Sequence, residues 1–194
     1  LPFHLRGIDG RHPYLSARGI TELTAATFGI GFYGGPGLMA GRLVIPIHNK
    51  AGQLVAYCGR ALDGSEPRYR FPGGFPKAQV LFNGHRALAG GQQTVIVVEG
   101  FFDCLKVHQA GFHSVVALMG AALYDRQRWL LTGHFRRIIL MLDGDPPGRR
   151  ASATIATRLA GYCPVRTIEL AANTQPDQLS EQAIREILGK EGGN

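Results

Sequence analysis

Three acids placed after two apolar runs are the residues of this chain best suited to do chemistry. Residues 94–103 read TVIVVEGFFD and residues 136–145 read RRIILMLDGD, so Glu99 follows the first run directly and Asp143 and Asp145 follow the second. Clustered carboxylates repel one another unless a cation sits between them. Hard divalent cations take oxygen ligands and bind through a few carboxylates plus substrate phosphates. If the two runs are neighbouring strands, the three acids make a metal site suited to phosphoryl transfer. The ordinary explanations are that an acid after a strand caps the next helix and that Asp-Gly marks a turn. Two acid clusters after two such runs in one short region weigh against coincidence.

The elements that must position these acids can be read from the apolar pattern. Residues 94–98 are β-branched and uncharged, as is usual for a strand buried on both faces, and 138–142 read the same way. Between and after them the pattern predicts a helix over 101–110 stopped by Gly111, a strand over 114–118 and a helix over 124–131. A helix over 148–160, with Pro146 and Pro147 at its start, a strand over 165–170 and a helix over 181–188 capped by Ser180 complete the order. The tail from Gly189 is expected to fray. Strands alternating with helices imply a mainly parallel sheet, and ligands bind outside the carboxyl ends of such strands. Gly120 would let a ligand approach the backbone closely. Asp103, in the first turn of its helix, suits the positive helix end and equally an outer metal position. Trp129, beside Leu130 and Leu131, is expected in the core, with Arg126 and Arg128 on the surface.

Upstream, residues 1–11 read as an irregular lead-in, followed by a helix over 12–19 and a second with Thr21 as N-cap and Gly29 as stop. Residues 33–41 read as a glycine-rich loop. Residues 43–48 and 54–59 form a predicted hairpin around the turn at 49–52. Arg42 and Arg60 at its ends have an ordinary explanation as solvated strand-end charges. The fold expected is α/β, a mainly parallel sheet flanked by helices over 89–194, with a smaller mixed α+β, basic subdomain over 1–88.

The acidic segments also carry a family resemblance. VVEGFFD followed by LDGDPPGRRA resembles the Toprim signature, a glutamate motif followed by Asp-x-Asp, shared by topoisomerases, bacterial-type primases and several nucleases. The segment GRLVIPIHNKAGQLVAYCGRAL, then Arg68-Tyr69, Phe75-Pro76-Lys77 and Gly148-Arg149, is similar to the catalytic core of DnaG-like bacterial primases, over about residues 12 to 188. The resemblance implies DNA-templated RNA primer synthesis by nucleotidyl transfer, with Glu99, Asp143 and Asp145 catalytic. It implies Mg²⁺ (or Mn²⁺) held by Glu99, Asp103, Asp143, Asp145 and Asp177, and phosphate contacts by Arg42, Arg60, Arg68, Tyr69, Lys77, Gly120 and Arg149. It further implies a single-stranded DNA template, nucleoside triphosphates and, through regions outside this chain, a replicative helicase as partners. The chain departs from the family pattern at Pro76 and Ala78, at Ala121, where a threonine is usual, and at Gln175, where the first acid of an Asp-Pro-Asp motif is usual. A neutral amide is a weaker ligand for a hard cation than a carboxylate. The rival readings are a Toprim nuclease, OLD-like or RNase-like, and a non-catalytic nucleic-acid-binding module with a degraded site.

Bulk properties bound these readings. The 194 residues are 45% hydrophobic, enough for a real core, and carry net charge +7, which favours an anionic partner. Cys58, Cys104 and Cys163 lie far apart with no CxxC pair, so neither zinc nor a disulfide framework is indicated in this segment. Free core thiols fit a cytoplasmic setting. No run of 18 apolar residues occurs, so no membrane span is expected. A chain starting at Leu1 rather than methionine reads as a piece of something longer.

Overall fold

The computed structural model describes residues 4–189. The chain divides into two compact units, 1–76 and 77–194. In the first, β1 (Ile8–Asp9), β2 (Gly31–Tyr33), β3 (Arg42–His48), β4 (Leu54–Arg60) and β5 (Tyr69–Arg70) form one antiparallel sheet in chain order. The helices α1 (Pro13–Ala17) and α2 (Glu22–Phe28) lie between β1 and β2 in the chain. Thr21 accepts the Thr24 N–H at 3.2 Å and Gly29 closes α2 in the left-handed region, as the sequence predicts. The β3–β4 hairpin turns where Asn49 Oδ1 accepts the N–H groups of Ala51 and Gln53, each at 3.0 Å. The lead-in contributes β1, and the residues just after Gly29, running into the glycine-rich loop at Tyr33, contribute β2, two short strands that the sequence did not announce.

The second unit holds a four-stranded parallel sheet in the order β7-β6-β8-β9. Its strands are β6 (Thr94–Val98), β7 (Val115–Ala117), β8 (Arg137–Leu140) and β9 (Val165–Thr167). The helices are α3 (Gly84–Ala89), α4 (Phe101–Gln109), α5 (Asp125–Thr132), α6 (Pro146–Leu159) and α7 (Glu181–Gly189). The expected parallel sheet is present, with β6 and β8 at its centre because these are the two most apolar runs. Val95, Val97, Ile138 and Leu140 pack in one cluster with Leu130, Leu131, Ile155 and Leu159 of α5 and α6. The opposite faces of the same strands, Ile96, Val98 and Ile139, are buried too.

Two readings of the sequence need correction. Trp129 is 47% exposed, not core. The buried stripe of α5 runs through Gln127, Leu130 and Leu131, and helical geometry turns Trp129 outward from that stripe. Arg42 and Arg60 are not solvated strand-end charges, since they are only 7% and 5% exposed. The segment between Pro76 and β6 is tied to the parallel sheet and is grouped with it in the second compact unit. Phe82 bridges Ala117, and the Asn83 side chain donates to the Val115 carbonyl at 2.8 Å. No helix among the described residues is long and apolar enough to cross a membrane.

Candidate active site

Pairing of β6 with β8 puts Val97 opposite Leu140, so the residues that follow each strand leave the sheet side by side. Glu99 and Asp143 meet there: the Asp143 N–H donates to Glu99 Oε1 at 3.2 Å. Asp145 caps α6, accepting the Gly148 N–H at 2.7 Å with one oxygen. Gly148 has no alternative residue at this packing distance, since a Cβ there would sit 2.3 Å from the Asp143 carbonyl oxygen. Helix α6 therefore packs its first turn directly on the backbone that carries the acid.

Residues 171–175 close the other side. Gly144 donates to the Thr174 carbonyl at 2.8 Å and accepts the Asn173 N–H at 3.2 Å. A Cβ at Gly144 would lie 2.1 Å from the Ala171 carbonyl oxygen, so only glycine permits this approach. The approach delivers Gln175, whose amide donates to Asp143 Oδ2 at 2.6 Å. Asp143 Oδ1 is buried with no hydrogen-bond partner.

Asp103 is 6% exposed and acts as a clasp. Its Oδ2 accepts the Gly100 N–H at 2.9 Å, and its Oδ1 accepts the Asp177 N–H at 3.0 Å. The start of α4 and the turn carrying Asp177 are thus joined through one carboxylate. Met119 and Gly120 both have positive φ, 61° and 155°, at the end of β7. The Gly120 N–H donates to the Glu99 carbonyl at 3.2 Å, and a Cβ on Gly120 would lie 3.4 Å from Lys77 Nζ. Lys77 thereby brings a cation to the turn beside Glu99.

The electrostatics follow from this crowding. Burial, then the charges of Asp143 and Asp145, push the Glu99 carboxyl up to about 7 against the pull of the Asp143 N–H. Burial, then Asp177 and Asp143, push Asp103 up to about 7. Burial raises Asp143 to about 6, opposed by the Gln175 amide and aided by Asp145 and Asp177. These acids bind protons where isolated ones would not, which is the behaviour of a site short of positive charge. Among the described residues no three His, Cys, Asp or Glu side chains are gathered into a ready cage for a metal ion. The donor set is nevertheless the right kind for a hard divalent cation: carboxylate oxygens, one of them buried and bare on Asp143.

The basic residues of the first unit form a separate cluster. Arg60 Nε donates to the Tyr14 hydroxyl at 2.7 Å and Nη1 donates to the Tyr69 hydroxyl, with the guanidinium 5.5 Å and 5.1 Å from the two ring centroids. Arg68 lies 6.0 Å from the Tyr69 ring. Arg42 Nη1 donates to the carbonyls of Gly59 at 3.4 Å and Pro67 at 3.1 Å. Gly59 is what lets Arg42 pass, since a Cβ there would lie 2.9 Å from the Arg42 Cδ. In the second unit, Arg149 donates to the Gly144 carbonyl at 3.1 Å and the Leu170 carbonyl at 3.0 Å, bracing the two loops that flank Asp143. Tyr14 was not picked out from the sequence as a site residue. It lies 46 positions from Arg60, and only the fold brings them together.

Residues 93–169, within the second unit, match the Toprim domain family. Over most of its length the chain is similar in sequence to bacterial DNA primases and in fold to solved primase domains. It is 31% identical to the DNA primase of Rickettsia prowazekii, over 81% of this chain and 31% of that protein. The Aquifex aeolicus primase structure with zinc-binding and RNA polymerase domains superposes with TM-score 0.83 at 24% identity, covering 93% of this chain and 55% of that one. The DnaG primase catalytic domain bound to ssDNA gives TM-score 0.79 at 23% identity, covering 93% of this chain and 71% of that one. The chain spans about a third of the length of the curated relative it matches.

Proposed function

We propose that this chain catalyses DNA-templated synthesis of RNA primers. The observation that carries the reading is the meeting of Glu99 and Asp143 after adjacent parallel strands, with Asp145 two residues on at the cap of α6. Its support is the alignment with a DNA primase over 81% of the chain. In the reaction, the 3′ hydroxyl oxygen of one ribonucleotide attacks the α-phosphorus of the next triphosphate, and the bond to pyrophosphate breaks. Mg²⁺ or Mn²⁺, when bound, supplies Lewis acidity that favours loss of the hydroxyl proton and offsets charge on the leaving group.

The chain's own residues have distinct tasks in this reading. Asp143 offers its bare Oδ1 to the cation while Gln175 fixes the other oxygen. Glu99 and the second oxygen of Asp145 complete the acidic face. Asp103 is a positioning residue that holds the Asp177 turn through the backbone. Lys77, beside Gly120, takes a phosphate of the incoming nucleotide. Arg60, steadied by two tyrosine hydroxyls, and Arg68 contact phosphates of the template or nucleotide. Arg42 and Arg149 brace backbone carbonyls and reach phosphate only through their remaining N–H groups. Single-stranded DNA is the template, and base pairing with it selects the nucleotide. The setting is the cytoplasm, and a replicative helicase would be engaged through regions outside this chain.

Incubation with a single-stranded template, labelled ribonucleoside triphosphates and Mg²⁺ tests the reading. Template-dependent extension is the expected result. Cleavage of labelled nucleic acid without extension would assign the same acids to a Toprim nuclease. Binding of single-stranded DNA that divalent metal leaves unchanged, with neither extension nor cleavage, would make the chain a non-catalytic binding module.

A further inference from the structure

Helix α5 and the end of α6 carry a strip of rings and arginines that the acidic site does not use. Trp129 and Tyr162 are 47% and 60% exposed, which is unusual for side chains of this size in a folded unit. The Arg126 guanidinium sits 4.3 Å from the Trp129 ring centroid, and His134 meets the same ring edge-on at 6.0 Å. Also on α5, the Arg128 guanidinium sits 4.7 Å from the Tyr162 ring centroid. Arg158 adds a third cation, paired at 2.8 Å with Asp125, the acid that Arg128 also approaches at 3.7 Å. Two arginines, Arg128 and Arg158, thus share one carboxylate while Arg126 lies over Trp129, and the exposed Arg136 and Arg137 follow α5 in the chain.

We infer that this strip is a second nucleic-acid contact, on which a single strand stacks its bases against Trp129 and Tyr162 while Arg126, Arg128 and Arg158 take its phosphates. Stacking platforms interleaved with cations are how proteins hold single strands without reading sequence. Guanidinium planes stack on rings and bases alike, so an arginine over a ring adds to the platform. A protein partner fits less well. The large hydrophobics exposed among the described residues of this unit are Tyr124, Trp129 and Tyr162, all aromatic, with no exposed aliphatic group to build the apolar centre of a protein interface. The inference goes beyond primer synthesis at the acids, because it concerns residues that neither hold nor flank them.

Trp129 is the only tryptophan in the chain, so its emission reports directly on stacking there. Titration with an oligothymidylate of about twelve nucleotides is expected to quench that emission in step with the rise in anisotropy of a labelled copy. Tyr162→Ala and Arg126→Ala are expected to weaken binding about fivefold or more, with melting temperatures unchanged because both side chains are exposed. Glu99→Gln is expected to keep the quench, which separates this result from any failure of the catalytic reading. Binding without quench, quench with unaltered affinity in both variants, or no binding at all would overturn the inference. So would an emission change that follows protein concentration without oligonucleotide, since the strip would then be a contact between copies of the chain.

Discussion

At the scale of single residues, the site is defined by how Asp143 is shared. One oxygen takes the Gln175 amide and the other is buried and bare. Gln175→Asp would place a second carboxylate against the first. We expect Mg²⁺ affinity by calorimetry to rise several-fold, and the metal-free melting temperature at neutral pH to fall, because two unneutralised acids in contact repel. Unchanged affinity would put position 175 outside the coordination sphere. The raised acids also set a pH dependence. Glu99, Asp103 and Asp143 titrate at about 7, 7 and 6 in the fold, against ordinary values of 4.5, 3.8 and 3.8. Between those limits the folded state holds more protons than the unfolded one, so these groups lower stability as pH rises from about 4 to about 7. Melting of the metal-free chain should therefore occur at lower temperature at pH 7.5 than at pH 5, with millimolar Mg²⁺ narrowing the gap. A melting temperature that climbs with pH through this window would contradict the crowding of the acids. The acids themselves were legible in the sequence because each follows a buried apolar run. The partner of Arg60 was not, because no local pattern links Tyr14 to a residue 46 positions away.

At the scale of elements, two glycines set the geometry around the acids. Gly144 allows the 171–174 segment to close on the strand end, and Gly148 allows α6 to seat on Asp143. Gly144→Ala would force apart backbones now in contact, at a cost of about 1–3 kcal/mol, or very roughly 2–12 °C in melting temperature for a chain of this size. Displacement of Gln175 should accompany it, read as weaker Mg²⁺ binding. A melting temperature within a degree or so of wild type would show that the approach is not required. The long elements could be read from sequence because their patterns are strong: β6 and the capped α2 and α6 match the expected spans closely. The strands β1, β2 and β5 are two or three residues long and owe their conformation to a partner strand rather than to their own composition. Trp129 was misread from its apolar neighbours, where the period of the helix would have turned it outward.

At the scale of the whole molecule, net charge +7 favours an anionic partner, and in the proposed function the arginines of the first unit would meet its phosphates. If Arg60 and Arg68 each meet a phosphate of a single strand, replacing either with alanine should make the salt dependence of DNA binding shallower by roughly 0.7 in log–log slope. An unaltered slope in both variants would make them scaffolding for the tyrosines. The family resemblance was legible because the motifs carry it. The attachment of the segment around Phe82 to the parallel sheet was not, since that segment has no strand pattern of its own.

If Glu99 works by its charge, Glu99→Gln removes what the reaction needs while leaving the fold intact. Glutamine keeps the size and a carbonyl oxygen that can still accept the Asp143 N–H. The measurement is the rate of Mg²⁺-dependent primer synthesis by variant and wild type, with metal-free melting followed on the same samples. The variant is expected to lose about a hundredfold or more in rate, with a melting temperature at pH 7.5 equal to or above that of wild type, because one repelling acid is gone. Synthesis retained in the variant, or a modest loss in proportion to a lowered melting temperature, would contradict the role of charge and leave Glu99 a structural acceptor.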